Sequence, residues 1–554
     1  MKSSVRSMFF GSIRANSVLL FRMAFVVLLL ISFALSIQNQ SPASLGVEIL
    51  DELGRPTPVR VKISNNQGAS LFSEEDAVTL SPQATGIPEA AIAVMYGRND
   101  RAEGFALQPD GAFYVDGSFA ISLAPGNYHL QLSKGYEYFP LNQEISVQPG
   151  EEKKVSVRLE RWIDMPERGW YSSDDHIHLR RSPREDPLIL RWLAAEDVHV
   201  GNLLQMGDLF ATYYSQYAFG SAGVYQEGNY VLTSGQEEPR TPEIGHTISL
   251  VADGFVRHAG EYYFYDQVFD EIESLGGISG YAHQAMSFHG YRGMTLDIPR
   301  RKVDFLELLQ YCVAGGPLHV EHYYHFLDLG FPLTATAGSD FPWCGRGPRF
   351  NLESGCSQIG DARFYTYVGP EFSFEQWKSS LKSGRTFVSS GPILLFRVND
   401  RLPGDTLDIR AGDTVRVTAE ALGNEVIPLK NLEIVVHGEV VESVRSEGKQ
   451  DQNRLFIDTQ LPVKNGIWIA ARAEAGPTQV AHTTPIYITV EGSGFHNQDR
   501  LSERLNQAEM YLQELERALQ SPGEQINEQA FRYREGLFER IDQVRKILSD
   551  LRQQ

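Results

Sequence analysis

Two histidines one residue apart are the first residues in this chain whose types and spacing could do chemistry. They close the run Trp170-Tyr171-Ser172-Ser173-Asp174-Asp175-His176-Ile177-His178. On a β-strand, residues i and i+2 point to the same face. His176 and His178 would then aim at one point, as two ligands of one cation must. A His-x-His alone fits exposed or core histidines equally well. Four downstream residues narrow the choice: Glu237 in Ser234-Gly-Gln-Glu-Glu238, His246 in Ile244-Gly-His-Thr-Ile248, His283 in Gly280-Tyr-Ala-His-Gln284, and Asp340 in Thr336-Ala-Gly-Ser-Asp340. Each sits at or near the end of an apolar run that reads as a strand. Taken singly, they read as a surface acid, a capped turn or a core histidine. Taken together, they form a mixed imidazole and carboxylate set suited to one or two ions of Zn, Mn or Fe. Such an ion lowers the pKa of bound water toward 7 and polarises a substrate oxygen. The expected nucleophile is therefore metal-bound hydroxide, with Asp340 as a ligand or as the base orienting that water. His283 is the second candidate catalytic residue. No serine elbow is present, and Cys344 has no histidine partner in sequence.

The elements that must carry these residues lie between about 165 and 395. Leu188 to Ala195 reads as a helix and Val200 to Leu204 as a strand. Tyr265 to Leu275 is helical, and Ile278 to Ala282 is a strand ending at His283. Phe305 to Leu309 is a strand, Val320 to Leu329 a helix, and Leu333 to Ala337 a strand ending at Gly338-Ser339-Asp340. Strand–helix alternation predicts parallel strands and a barrel, with polar residues at the strands' carboxyl ends. All-β segments flank this region. Residues 44–160 alternate short apolar runs with turns and predict a β-sandwich-like domain, with a hairpin across Pro125-Gly126. His129 within it reads as structural. Residues 396–492 return to β character. From 500 to 554, Leu505, Ala508, Leu512, Leu515 and Leu519 recur at helical spacing. Ser521-Pro522-Gly523 breaks the helix, and a second follows. This hairpin or coiled coil is expected to pack or to form a homo-oligomer, and to be dispensable for metal binding because it carries no ligand cluster.

The 554 residues suggest roughly three or four domains. The composition, 42% hydrophobic and 22% charged, is that of an ordinary globular protein. A net charge of −20 argues against nucleic acid or an anionic membrane surface as the main partner. It leaves an anionic substrate open, because a metal can reverse the local sign. Lys2, Arg6, Arg14 and Arg22 precede the apolar run Met23 to Ser36, which ends in small residues. Residues 1–36 therefore read as a secretory signal or as an uncleaved anchor, and the rest is expected outside the cytoplasm. Cys312, Cys344 and Cys356 are too few for a disulfide framework. Cys344 and Cys356 could bridge; free or buried thiols are the alternative.

Gly169-Trp-Tyr-Ser-Ser-Asp-Asp-His-Ile-His178 resembles the opening motif of CehA/McbA-type metallohydrolases, a branch of the PHP (polymerase and histidinol phosphatase) superfamily. Gly-Gln-Glu237, Gly-His246, Ala-His283 and Gly-Ser-Asp340 resemble its later motifs in order. Gly384 to Pro392, Val398-Asn-Asp400 and Pro403-Gly-Asp405 resemble its closing segment. The resemblance spans about 165–490. It implies a distorted β/α barrel, a metal cluster and hydrolysis. Two family positions depart from the pattern. Leu204-Gln205-Met206-Gly207-Asp208 stands where Thr-Asp-His is usual, and Pro342 stands where a histidine is usual. The resemblance then implies either fewer metals than in a three-metal enzyme or loss of catalysis, with Asp208 as a substitute ligand through a local shift.

Several other residues carry two readings each. His319, His322 and His325 fit a helical face or a second metal site. Glu307 matches an acidic family position and could orient a ligand histidine. Arg346 and Arg349 could clamp a substrate anion or be solvated. The tyrosines around 213–230 suggest a lid or a sugar-stacking wall. The leading expectation is an exported metal-dependent hydrolase. Its substrate would be a small molecule, carbohydrate or phosphoester, cleaved at a phosphate ester, ester, amide or carbamate bond. The rival is a non-catalytic surface or periplasmic binding protein with a degenerate site.

Overall fold

The computed structural model describes residues 41–80, 108, 110–283, 289–310, 318–342, 357–448, 453–520 and 528–553. The amino-terminal basic and apolar segment, the three cysteines, Arg346 and Arg349 lie outside the described residues. Among the described residues, no helix is long and apolar enough to cross a membrane.

The amino-terminal unit is a two-layered β-sandwich. Its strands are β1 (Ala43–Leu50), β2 (Pro58–Asn65), β3 (Ser70–Leu71), β4 (Phe113–Asp116), β5 (Ser118–Leu123), β6 (Gly126–Ser133), β7 (Leu141–Val147) and β8 (Glu152–Arg158). One sheet runs β5-β1-β8 and the other β3-β2-β6-β7, with β4 also on β2. Alternate residues such as Leu45, Val47 and Ile49 from one layer meet Val61, Ile63 and Leu130 from the other. The expected hairpin across Pro125-Gly126 does not form. Strand β5 pairs with β1, whereas β6 pairs with β2 and β7. Phe119 and Leu123 of β5 and Tyr128 and Leu130 of β6 enter the same core, so the Pro-Gly turn carries the chain from one layer to the other.

The central unit holds β9 (Trp170–Ile177), α1 (Asp186–Ala195), β10 (Val200–Gly207), β11 (Thr212–Tyr213), β12 (Tyr225–Glu227), β13 (Tyr230–Glu237), β14 (Arg240–Thr241) and β15 (Gly245–Leu250). It continues with α2 (Tyr265–Ser274), β16 (Ile278–Tyr281), α3 (Gly290–Asp297), β17 (Phe305–Gln310), α4 (Glu321–Asp328), β18 (Thr334–Gly338), β19 (Arg363–Tyr367), α5 (Phe374–Lys382) and β20 (Thr386–Ser389). The sheet runs β9, β10, β13, β15, β16, β17, β18 and curls until Ile177 bridges Phe341, just past β18. Its strands are buried along their whole length, as strands covered on both faces must be. Gly338 permits the close approach of β18 to β9, because a Cβ there would lie 2.4 Å from Asp175 Oδ1 and from His176 Cβ.

The expected run of parallel strands is only partly present. The pairs β9–β10, β10–β13, β16–β17 and β17–β18 are parallel, but β15 is antiparallel to both neighbours and β19 is antiparallel to β9. The link from β13 through β14 to β15 is too short to carry a crossover helix, so the chain must double back.

The carboxyl-terminal β region contains β21 (Ile393–Val398), β22 (Thr406–Ile409), β23 (Thr414–Leu422), β24 (Leu429–Val436), β25 (Glu439–Arg445), β26 (Arg454–Pro462), β27 (Ile467–Ala475), β28 (Gln479–Thr483) and β29 (Ile486–Val490). The boundary expected at 395/396 falls inside β21. The region is continuous with the central sheet, since β20 pairs with β28 and Trp170, Tyr365 and Phe387 share a core with Leu432 and Ile469. Helices α6 (Leu501–Gln520), α7 (Glu528–Arg532) and α8 (Arg534–Arg552) follow. The stripe of Leu505, Ala508, Leu512, Leu515 and Leu519 is buried as its spacing predicts, but it joins the central core. Tyr291 Oη donates to Glu514 at 2.7 Å, Arg504 pairs with Asp328 at 2.9 Å, and Arg540 pairs with Asp266 at 2.7 Å. The hairpin is thus an outer layer of the central unit, the packing role of the two that its apolar spacing suggested.

Candidate metal centre

The strand ends bring all six expected ligands together. His176 ends on β9 and His178 follows it. Glu237 closes β13, His246 opens β15, His283 lies just past β16, and Asp340 lies just past β18. All are buried. Glu237 organises the cluster by offering one oxygen to each of two groups. Its Oε2 lies 3.3 Å from His178 Nε2 and 3.9 Å from His176 Nε2. Its Oε1 lies 3.0 Å from His246 Nδ1 and 3.7 Å from His283 Nε2. Asp340 Oδ1 completes the first group, 3.4 Å from His176 Nε2 and 3.3 Å from His178 Nε2. The two Nε2 atoms are 3.1 Å apart. Ligand atoms around a tetrahedral ion with bonds of 2.0–2.1 Å stand about 3.3 Å apart, so the first group fits a divalent cation. His176, His178 and Glu237 form one set with metal-ligand spacing, and Glu237, His246 and His283 form another.

The surroundings fix which nitrogens face inward. His176 Nδ1 lies 2.9 Å from Glu307 Oε1, and His178 Nδ1 lies 3.2 Å from the Leu204 carbonyl. A carboxylate and a carbonyl both accept, so each Nδ1 carries the proton and each Nε2 presents its lone pair to the centre. Glu307 thus orients His176, and its other oxygen accepts the His283 backbone N–H. Gln310 Nε2 donates to Asp340 Oδ2 at 2.7 Å, leaving Oδ1 for the cluster. Asp174 accepts the N–H groups of His176 and Ser339 at 3.0 Å and of Gly360 at 2.8 Å, which ties the two strand ends together. His283 and Asp340 have φ of 29° and 53°, a left-handed backbone that side chains other than glycine seldom adopt and that concentrates at functional sites.

Electrostatically, the first group attracts cations. Burial disfavours a charged His176, but the Asp340 and Glu307 carboxylates reverse this and raise its pKa well above the ordinary value. Burial also opposes a charged His178, which Asp340 and Glu237 overcome. Burial pushes Glu237 up, yet the Arg240 charge and three histidine contacts hold it well below the usual carboxylate range. Asp340 is likewise lowered, by His176 and His178 acting against burial. His246 behaves in the opposite way: burial and the nearby Arg240 push it down to about 3. The carboxylates that raise His176 and His178 would favour a bound cation in the same way.

Other sequence expectations resolve differently. Asp208 does not substitute as a ligand. Its Oδ1 accepts the N–H groups of Phe210 and Ala211 at 2.8 Å, and Tyr213 Oη lies 3.1 Å from Oδ2, so it caps a loop. Gln205 accepts the Gln216 N–H at 3.1 Å. His322 stacks on Tyr291, and His325 packs against Phe326 and Tyr511; these two belong to a helical packing face. Of the tyrosines, Tyr214 stacks on His178 at 5.2 Å. Tyr217 instead bonds Asp186, and Tyr230 bonds Asp197. Arg240 and Gln310 are the site residues that sequence reasoning missed. The lone signal for Arg240 was its position three residues after Glu237.

No protein-family profile matches this chain, and no curated protein matches it. Solved structures similar to parts of it include a chitin binding domain from Burkholderia pseudomallei, at 8% identity and a TM-score of 0.13, over 16% of this chain and 57% of that one. Fibronectin(III)-like modules of Clostridium thermocellum CbhA align at 12% identity and 0.13, over 18% and 97%. A Parabacteroides merdae beta-glucuronidase aligns at 11% identity and 0.16, over 79% and 60%. The chain thus spans little more than half the length of the first of these. Scores this low carry no argument about function.

Proposed function

We propose that this protein is an exported, metal-dependent hydrolase of the CehA/McbA type within the PHP superfamily. The observation that carries the reading is Glu237, whose two oxygens each face a different pair of histidines while Asp340 closes the first group. His176, His178, Glu237 and Asp340 would hold a divalent ion of Zn, Mn or Fe. Such an ion supplies a Lewis acid for a substrate oxygen and acidifies water. The protein's own part is positional. Glu307 and the Leu204 carbonyl aim the two imidazoles, Gln310 aims Asp340, and Tyr214 covers His178. Burial of the cluster keeps bulk water from screening these charges. The substrate would be a small phosphate ester, carboxyl ester, amide or carbamate.

The test is a hydrolysis screen of phosphate monoesters, phosphodiesters, carboxyl esters and carbamates with added Mn or Zn, with and without chelator. Chelator-sensitive turnover supports the reading. Bound metal without turnover of any class favours a binding protein. Export rests on residues 1–36, and the mature-protein mass with cell fractionation tests it.

A further inference from the structure

Arg240 stands against the second group of ligands. Strands β14 and β15 pair with Arg240 opposite His246, which puts both side chains beside Glu237. Arg240 Nε lies 3.2 Å from Glu237 Oε1 and 3.3 Å from His246 Nδ1. A guanidinium only donates and keeps its charge at any relevant pH. The His246 Nδ1 that it reaches also lies 3.0 Å from Glu237 Oε1 and 3.2 Å from His283 Nε2, so the guanidinium stands among the facing atoms of all three second-group residues. A second cation bound among these atoms would stand beside that fixed positive charge. The same guanidinium N–H is shared with Glu237 Oε1, the oxygen turned toward the second group.

Resting on the hydrolase reading above, we infer that Arg240 is a built-in replacement for a second metal ion: it occupies the Glu237, His246 and His283 group and holds the site to one divalent ion per chain. It is a positioning residue. It neutralises the oxygen of Glu237 that faces away from the first group and so leaves the other oxygen for that group's ion.

The test counts metal rather than turnover. The full chain is stripped of metal, reloaded with excess Zn(II), desalted and analysed for metal per chain, with circular dichroism as a check on folding. The expected result is one ion in the native protein, two in Arg240→Ala, and one again in Arg240→Ala/His283→Ala. Electron paramagnetic resonance of the native protein loaded with Mn(II) gives a reading that needs no variant: isolated-ion spectra support the inference, and spin-coupled pairs overturn it. Two Zn ions in the native protein, or one in a folded Arg240→Ala, would also overturn it while leaving the hydrolase reading intact. No ion in any form would remove both.

Discussion

Two buried polar clusters in this molecule are built from similar acids, yet they get their positive charge from different sources. At the seam between the sandwich and the central unit, Arg161 lies 2.7 Å from Glu137, 3.2 Å from Asp197 and 3.3 Å from Glu52, and sits over the Tyr138 ring. Lys134 donates to the Pro58 carbonyl, and Arg60 pairs with Asp110. Asp197 is held well below the usual carboxylate range, Arg161 overcoming burial. At the strand ends, by contrast, the Arg240 guanidinium lies against Glu237 and His246, on the side away from the first group, while Glu237 and Asp340 face His176 and His178. The seam carries its own cations and joins two units. The strand-end group sets the Glu237 and Asp340 carboxylates against imidazole nitrogens, as a metal site requires. A cluster of buried acids thus indicates function only after its cations have been counted.

The sharpest way to break this contrast is Asp340→Asn, which keeps the size but halves the inward carboxylate charge facing His176 and His178. Activity in the hydrolysis screen should fall by roughly 10²–10⁴-fold with the fold preserved. An unchanged rate would take Asp340 out of the chemistry. The matching change at the seam is Arg161→Met. It leaves Glu137 and Asp197 buried without their partner and should cost about 3–5 kcal/mol of stability. Guanidinium unfolding should show that loss while metal content stays at the native level. A loss of metal instead would mean that the two clusters are not independent.

A smaller effect separates holding from aiming. Glu307→Gln keeps an acceptor for His176 Nδ1 but removes the charge, and should weaken metal affinity by roughly 10–100-fold. Competitive titration against a chromophoric chelator measures this, and undiminished affinity would deny Glu307 its orienting role. The last effect is one of pH. His176 and His178 bind protons more readily in the folded, metal-free protein than in the unfolded chain. That stabilisation is present below the unfolded value and is lost as pH rises through the raised folded value. Metal binding displaces the same protons, so affinity should fall as pH falls, by about tenfold per pH unit for each proton displaced. The rise in Tm on adding Zn should therefore be larger at pH 8 than at pH 5.5, and a larger rise at pH 5.5 would contradict the assignment.

The six candidate ligands were legible because each lies at or near one end of an apolar run, and strand periodicity gives the shared facing of His176 and His178. The strands and helices around them were legible for the same reason, as with Tyr265–Ser274 and Phe305–Gln310. Arg240 was not, because β14 is two residues long and has no period to read; its facing comes from cross-strand pairing with His246. Helix α3 was missed because Gly290 and Gly293 lower its intrinsic helix propensity; packing of Met294 and Leu296 into the core with the C-terminal hairpin compensates. The seam was invisible too, since Tyr114 meets Glu196 and Arg161 meets Glu52 only through the tertiary fold.

The most direct test of the strand-end cluster as a metal site is elemental analysis of the full chain purified without chelator, beside the His176→Ala/His178→Ala variant. The contrast between the clusters predicts a stoichiometric divalent ion in the native protein and its loss from the folded double variant. Equal metal content in the two proteins would contradict it.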